Sequence, residues 1–192
     1  MKTALCLVLV SALTTATTKT FFSQEQALKS SFGDKVVTVK QTHYWTKEQR
    51  ARVAKLVGSE KVEDVRGYHT GFSALAGKDH KVCTDTAWFD QRIVRTKAQE
   101  IMLRIDAHGV ILELLVCAFD EPIKYKPSAK WYDQFKGLQL DDELQLAKEI
   151  HGVSGATLTG RSTTAAVREL LAAAQVAREA TTVHKNGNEA TQ

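Results

Sequence analysis

The 192-residue chain is poor in proline (two) and cysteine (three), only 7% of it is aromatic, and no apolar run reaches the length of a bilayer-spanning helix. Each scarcity excludes something. The cysteines show no CxxC, CxxCH or mixed Cys/His spacing, which removes zinc ribbons and haem attachment from consideration. His43, His69, His80, His108, His151 and His184 are dispersed without ligand spacing, and neither a GxSxG elbow nor a GxGxxG turn occurs. Charge of one sign is never concentrated. Basic residues alternate with acidic ones, as in KVEDVRGYH and RTKAQEIMLR, and the formal net charge is only +4, so a nucleic-acid footprint is absent. What is present is a globular composition, 43% hydrophobic and 25% charged, in a chain long enough for one domain with a core.

The chain opens with Lys2, an apolar stretch from Ala4 to Leu13, and small or hydroxylated residues around Ala16. That pattern has the proportions of a signal peptide over residues 1–16, so the expectation is an exported, periplasmic protein, membrane-associated if the signal is retained. Cys6 lies inside the apolar stretch rather than after it, unlike a lipid-attachment cysteine. Cys83 and Cys117 remain. They can pair in an oxidising compartment, or Cys117, within LLVCAF, can serve as a small apolar core residue.

Helical grammar appears twice early on. Ser23 and Gln26 have capping-box spacing ahead of Gly33, and Thr46 with Gln49 repeats it ahead of Gly58. Between them Lys35–Gln41 alternates like a half-buried strand. The segment EDVRGYHTGFSALAGKDHK, rich in glycine and polar residues, holds strand fragments at most, so residues 17–81 read as a small α/β lead-in. From Val82 onward the pattern is strand-like, and Asp106-Ala-His-Gly109 marks the turn of an antiparallel hairpin over residues 100–118. Pro122 and Pro127 follow, then Ser128 as the cap of a short helix with Trp131 and Phe135 on one face and Gly137 at its end. LQLDDELQLAKEI fits strand or helix. Thr163–Ala180 is a helix, and residues 181–192 read as a disordered tail. The expected fold is α+β: a small antiparallel sheet, flanking helices and a C-terminal helix.

The stretch HGVSGATLTGRS, His151 to Ser162, stands where that last helix begins. A helix start offers unpaired N–H groups and the positive end of the macrodipole, so it suits an anion, phosphate above all. Gly155 and Ala156 keep side chains away from a close backbone approach, Thr157 presents a hydroxyl, and Ser154 or Thr159 can add a donor. The same residues also fit an ordinary helix cap, with Thr159 or Ser162 holding the orphan amides. Arg161 in the first turn opposes the dipole unless an anion compensates it.

Ser154-Gly155-Ala156-Thr157, followed by Leu158-Thr159 and a helix, resembles the motif of FMN-binding domains, such as the flavin subunits of the sodium-pumping NADH:quinone reductase and Rnf complexes. The resemblance spans roughly residues 86–177, so 82–180 is the expected FMN-binding domain. It implies FMN joined covalently through its phosphate to the Thr157 hydroxyl by an FAD:protein FMN transferase using Mg²⁺. It also implies electron transfer to or from a membrane or periplasmic redox partner, the role of an electron carrier rather than an enzyme with its own substrate. FDEPIKYKPSAKWYDQF resembles the aromatic, proline-containing loop of family members. There Tyr125 and Trp131 are candidates for contact with the flavin ring, and Glu121 for a hydrogen bond to its polar edge. The family's acid three positions before the serine is His151 here. Two alternatives stand beside this expectation: a non-covalent FMN binder, and a non-redox exported binding or interaction module in which the motif only caps a helix.

Overall fold

A computed structural model describes residues 19–34, 36–76 and 82–189; the side chains of 76, 82–84 and 182–189 are not described. The expected signal peptide, residues 1–16, lies outside the described residues. The chain forms an α+β fold in which five strands make one antiparallel meander, in the spatial order β1 to β5. The elements are α1 (Gln24–Phe32), β1 (Val37–Tyr44), α2 (Lys47–Val57), β2 (Tyr68–Ala76), β3 (Val82–Ile93), β4 (Ala98–Asp106), β5 (Ile111–Phe119), α3 (Ala129–Tyr132) and α4 (Thr157–Glu189).

Local chemistry set several of these boundaries as expected. Both capping boxes form: Ser23 and Thr46 each accept from the N3 amide, while Gln26 and Gln49 reach back to the cap N–H. Gly58 ends α2 in the left-handed conformation. The β4–β5 hairpin turns where Asp106 predicts, and the Asp106 side chain accepts from the N–H groups of His108 and Val110, both at 2.8 Å. Trp131 and Phe135 are both buried, on α3 and the 3₁₀ turn after it, although Ser128 makes no side-chain cap bond.

The two faces of the sheet bury different sets. Trp88, Leu103 and Leu114 are cross-strand partners on one face, with Ile101, Ile105, Ile111, Val116 and Phe119; α4 lies across this face, contributing Ala166, Val167, Leu170, Leu171, Ala174 and Ala177. The opposite face carries Ala87, Phe89, Met102 and Cys117 under Ala27 and Leu28 of α1. Inward residues of β5 fall at 111, 114, 116 and 119 rather than at every second position. The register of β4–β5 shifts at Glu100/Ile101 and Arg104/Ile105, and such bulges restore the apolar phase. The alanines of α4 also let α2 pack closely, through Val53 and Ala54 against Ala172 and Val176.

Several expectations need correction. Residues 17–81 are not a separate lead-in: β1 and β2 extend the same sheet and α2 packs on α4. Strand β2 spans nine residues within a segment read as fragments. Its Gly71 is required by packing, since a Cβ there would meet the Trp88 ring at 3.2 Å. The last helix continues past Ala180 to Glu189, with no proline to stop it, so the disordered tail does not begin at 181. The Cys83–Cys117 pairing is not made: Cys117 is free and buried. Register puts Cys117 beside Glu100–Ile101 of β4 and Cys83 beyond Asp106, separated by about 20 Å at 3.3–3.4 Å per residue, far beyond disulfide reach. The segment at 139–150 is neither strand nor helix; apart from a Leu146–Ile150 bridge it is turn and bend, pinned to α4 by Arg168, whose guanidinium donates to the carbonyls of Asp141 (2.5 Å) and Leu144 (3.0 Å).

A buried polar cluster ties α4 to β2 and β3. Glu169 on α4 accepts from Arg92 at 3.1 Å and from the Arg66 N–H at 3.2 Å. Arg92 also grips Asp90 at 2.6 and 3.0 Å. His69 Nε2 lies 3.2 Å from Glu169, at a poor hydrogen-bonding angle, while its Nδ1 accepts from the Trp45 indole at 2.7 Å. Burial pushes the Glu169 carboxyl up, but His69, Arg92 and the Arg66 amide outweigh it and bring its pKa down to about 2.

Candidate functional site

Helix α4 starts six residues earlier than the sequence suggests, at Thr157 itself, so the motif forms the turn into the helix and its first turn. Gly155 holds φ at +78°, a conformation an L side chain rarely adopts, although a Cβ there would meet no atom. Its role is therefore conformational: it reverses the chain into the helix. The Ala156 N–H donates to Val153 at 3.2 Å, and the Gly160 N–H closes the first helical bond on the Ala156 carbonyl at 2.9 Å. The N–H groups of Thr157, Leu158 and Thr159 have no partner among the described residues.

Helix caps usually supply an oxygen at this point, and here the residue before the helix is alanine. Thr159 and Ser162, the residues that fit a cap, lie inside the helix instead. Thr159 is 1% exposed, and its hydroxyl donates to the Tyr125 carbonyl at 2.7 Å, so it is not available as a further donor to a ligand. It joins the first turn of α4 to the Pro122–Pro127 loop. Thr157 and Ser154 are exposed, and Leu158 is half exposed.

A cleft of about 220 Å³ opens at this helix end. Gly155, Ala156, Thr157, Leu158 and Thr159 line one side; Tyr125, Glu121, Val94 and Arg95 line the rest. Of the nine residues expected at the site, the structure brings seven of them to the cleft and leaves Ser154 and Trp131 off its lining. Trp131 is in the core: its ring packs edge-on to Tyr132 and Phe135, and its indole donates to the His151 carbonyl at 2.7 Å. It carries α4 rather than facing a ligand, since a Cβ on Gly160 would stand 3.4 Å from the Trp131 ring.

Glu121 lines the cleft, but one carboxylate oxygen is already engaged. It accepts from the Thr96 N–H at 2.6 Å, the Thr96 hydroxyl at 3.2 Å and the Lys97 N–H at 2.9 Å, clamping the β3–β4 turn. These bonds, led by the Thr96 amide, hold its pKa below the ordinary carboxylate range. Its side chain thus shapes the cleft from beneath. His151 is exposed, and its N–H donates to Gln134 Oε1 at 2.9 Å.

Val94 and Arg95 are the residues that sequence reasoning missed. They sit in the β3–β4 turn, brought to the motif by the hairpin and by Glu121. The guanidinium of Arg95 lies 5.8 Å from the centre of the Tyr125 ring, and Lys124 Nζ lies 5.1 Å from it. The site therefore combines unpaired backbone donors, an exposed hydroxyl, an aromatic ring and the Arg95 cation, with Lys124 against the same ring. That arrangement suits an anionic group attached to a flat or apolar body. Among the described residues, no group of three or more His, Cys, Asp or Glu is placed to hold a metal.

No family model, curated protein or solved structure matches this chain.

Proposed function

We propose that this protein is an exported flavoprotein that carries FMN through a phosphoester on Thr157 and passes electrons to or from a membrane or periplasmic redox partner. The observation that carries the reading is the start of α4, where three uncapped amides and the exposed Thr157 hydroxyl share one cleft. The residues present fit the group. The amides of Leu158 and Thr159, at the positive end of the helix dipole, would hold a phosphate esterified to Thr157. Gly155 gives the turn that exposes those amides, and Arg95 adds an exposed positive charge at the rim. Val94, Leu158 and the Tyr125 ring provide apolar surface for the flat body of the cofactor.

Attachment balances as a phosphoryl exchange: the Thr157 oxygen bonds to the FMN phosphorus of FAD, the bond to AMP breaks, and the hydroxyl proton leaves with it. The FAD:protein FMN transferase supplies that chemistry; this chain supplies the exposed acceptor. Once held, FMN provides the one- or two-electron chemistry. A cleft of about 220 Å³ is smaller than the roughly 300–1,000 Å³ of pockets that engulf a ligand. It leaves part of the cofactor open to a partner, as an electron carrier needs. Non-covalent binding is the second reading, favoured by His151 standing where the related motif has an acid.

Co-expression with the transferase tests the proposal. The product is yellow, keeps its flavin after denaturation, and loses the denaturation-resistant flavin in Thr157→Ala. Flavin that stays with native Thr157→Ala, and leaves the parent on denaturation, supports non-covalent binding. A colourless parent protein contradicts both readings.

A further inference from the structure

Strand β5 is an edge of the sheet, and among the described residues its outer side is occupied only at the two ends. At one end Phe21 and Phe22 donate to the Cys117 carbonyl at 2.8 and 3.1 Å, and Phe119 donates to the Lys19 carbonyl at 3.1 Å. At the other, Ile111 donates to Leu138 at 2.9 Å and accepts from Gly137 at 2.8 Å. Between them, Leu112–Val116 takes no backbone partner on that side among the described residues. These five residues, about 17 Å of strand, form the floor of a groove of about 940 Å³. Phe21, Phe22 and the end of α1 flank one side of it, and α3 with the turn after it flanks the other.

Inside the groove the cations of Lys126 and Lys136 call for an anion. The Lys126 ammonium lies 5.4 Å from the centre of the Phe21 ring and 5.3 Å from that of Tyr132, and it makes no ion pair among the described residues. Loss of water lowers its pKa. Tyr132, 5% exposed, backs the Lys126 ammonium with its ring and lines the groove. Lys136 adds an unpaired cation nearby. The acids that line the groove are Asp133, which is exposed, and Glu113, which already accepts from the Ser31 hydroxyl.

We propose that this groove receives an extended acidic peptide segment of a partner protein as an added strand on β5, with a carboxylate side chain seated at the Lys126 ammonium, between the Phe21 and Tyr132 rings that hold it. Strand addition draws its affinity from main-chain bonds and its specificity from alternate side chains, and an open edge of this length is a template for it. The chain already uses the same edge this way at Thr20–Ala118. The Pro122–Pro127 loop borders both sites, with Tyr125 on the cleft and Lys126 on the groove, so a docked partner is held beside the cleft.

The test is a titration of the full isotope-labelled chain with the blocked peptide acetyl-TVTVEVTV-amide, and with its counterpart bearing Lys in place of Glu, followed by amide NMR. The acidic peptide shifts and protects amides of Leu112–Val116 and binds about fivefold to tenfold more tightly than the basic one, as a charge-assisted contact should give. Lys126→Met removes the cation and keeps an unbranched side chain between the two rings; it weakens the acidic peptide and does not weaken the basic one. Lys126→Glu reverses the preference. Shifts that miss Leu112–Val116, equal affinity for both peptides, or no binding at millimolar peptide overturns the proposal. Glutarate binding as tightly as the acidic peptide overturns it too, since that marks a small-anion site.

Discussion

Replacing Glu169 by Gln removes a charge from the cluster that fastens α4 to the sheet, and the structure sets the size of the effect. The carboxylate is lowered from 4.5 to about 2, a difference worth roughly 3 kcal/mol at 1.36 kcal/mol per pH unit. An independent route gives a similar figure: breaking a buried ion pair costs about 3–5 kcal/mol, and here the Arg92 guanidinium keeps Asp90 as a partner, which places the loss near the lower end. Because the folded-state pKa is depressed, the stabilisation is complete above the ordinary carboxylate range and disappears as pH falls from about 5 toward 2. The parent protein thus exceeds Glu169→Gln by roughly 3 kcal/mol at pH 7 and by only about 1–1.5 kcal/mol at pH 3. Urea unfolding of both proteins at the two pH values measures this directly. The same difference at pH 7 and pH 3, or a difference at pH 7 below about 1 kcal/mol, refutes the assignment of Glu169 as a charge held by His69, Arg92 and the Arg66 amide.

Three further outcomes follow from particular contacts. Thr159→Val leaves the Tyr125 carbonyl without its donor, costing about 1–2 kcal/mol and a Tm drop of about 2–8 °C; scanning calorimetry reads it, and an unchanged Tm contradicts the tie between α4 and the loop. Gly155→Ala forces a Cβ into φ +78° with no steric clash, so it destabilises by about 1–2 kcal/mol from backbone strain alone, checked by denaturant midpoint. Burial raises the Cys117 thiol to about 12, so in a Cys83→Ser background it reacts with a thiol reagent only after unfolding; rapid labelling of the native protein contradicts its burial.

The parts of the fold that were legible in the sequence are those fixed within a few residues. Ser23 with Gln26, Thr46 with Gln49, and Asp106 before Gly109 carry their own stop and start chemistry, and the structure realises all three. Strand β2 was not legible because its glycine answers to Trp88 on the next strand, and that demand is invisible along the chain. The site shows the same division. The motif Ser154–Thr159 could be read as a helix entrance because its residues are contiguous, and Tyr125 because its loop lies close by. Arg95 and Val94 could not, since only the β3–β4 turn, held by Glu121, brings them there. Trp131 carried two readings, a core face from its spacing with Phe135 and ring contact from the resemblance of its loop; burial favours the core, where its indole supports the loop before Ser154.

The central claim is chemical, and peptide mass mapping tests it most directly. Protein matured with the FAD:protein FMN transferase is digested, and the fragment containing Ser154–Arg161 is sequenced by mass spectrometry. The expected fragment is heavier by FMN less one water, with fragmentation placing the addition on Thr157. An unmodified fragment from flavin-free protein, or an adduct on any other residue, contradicts it.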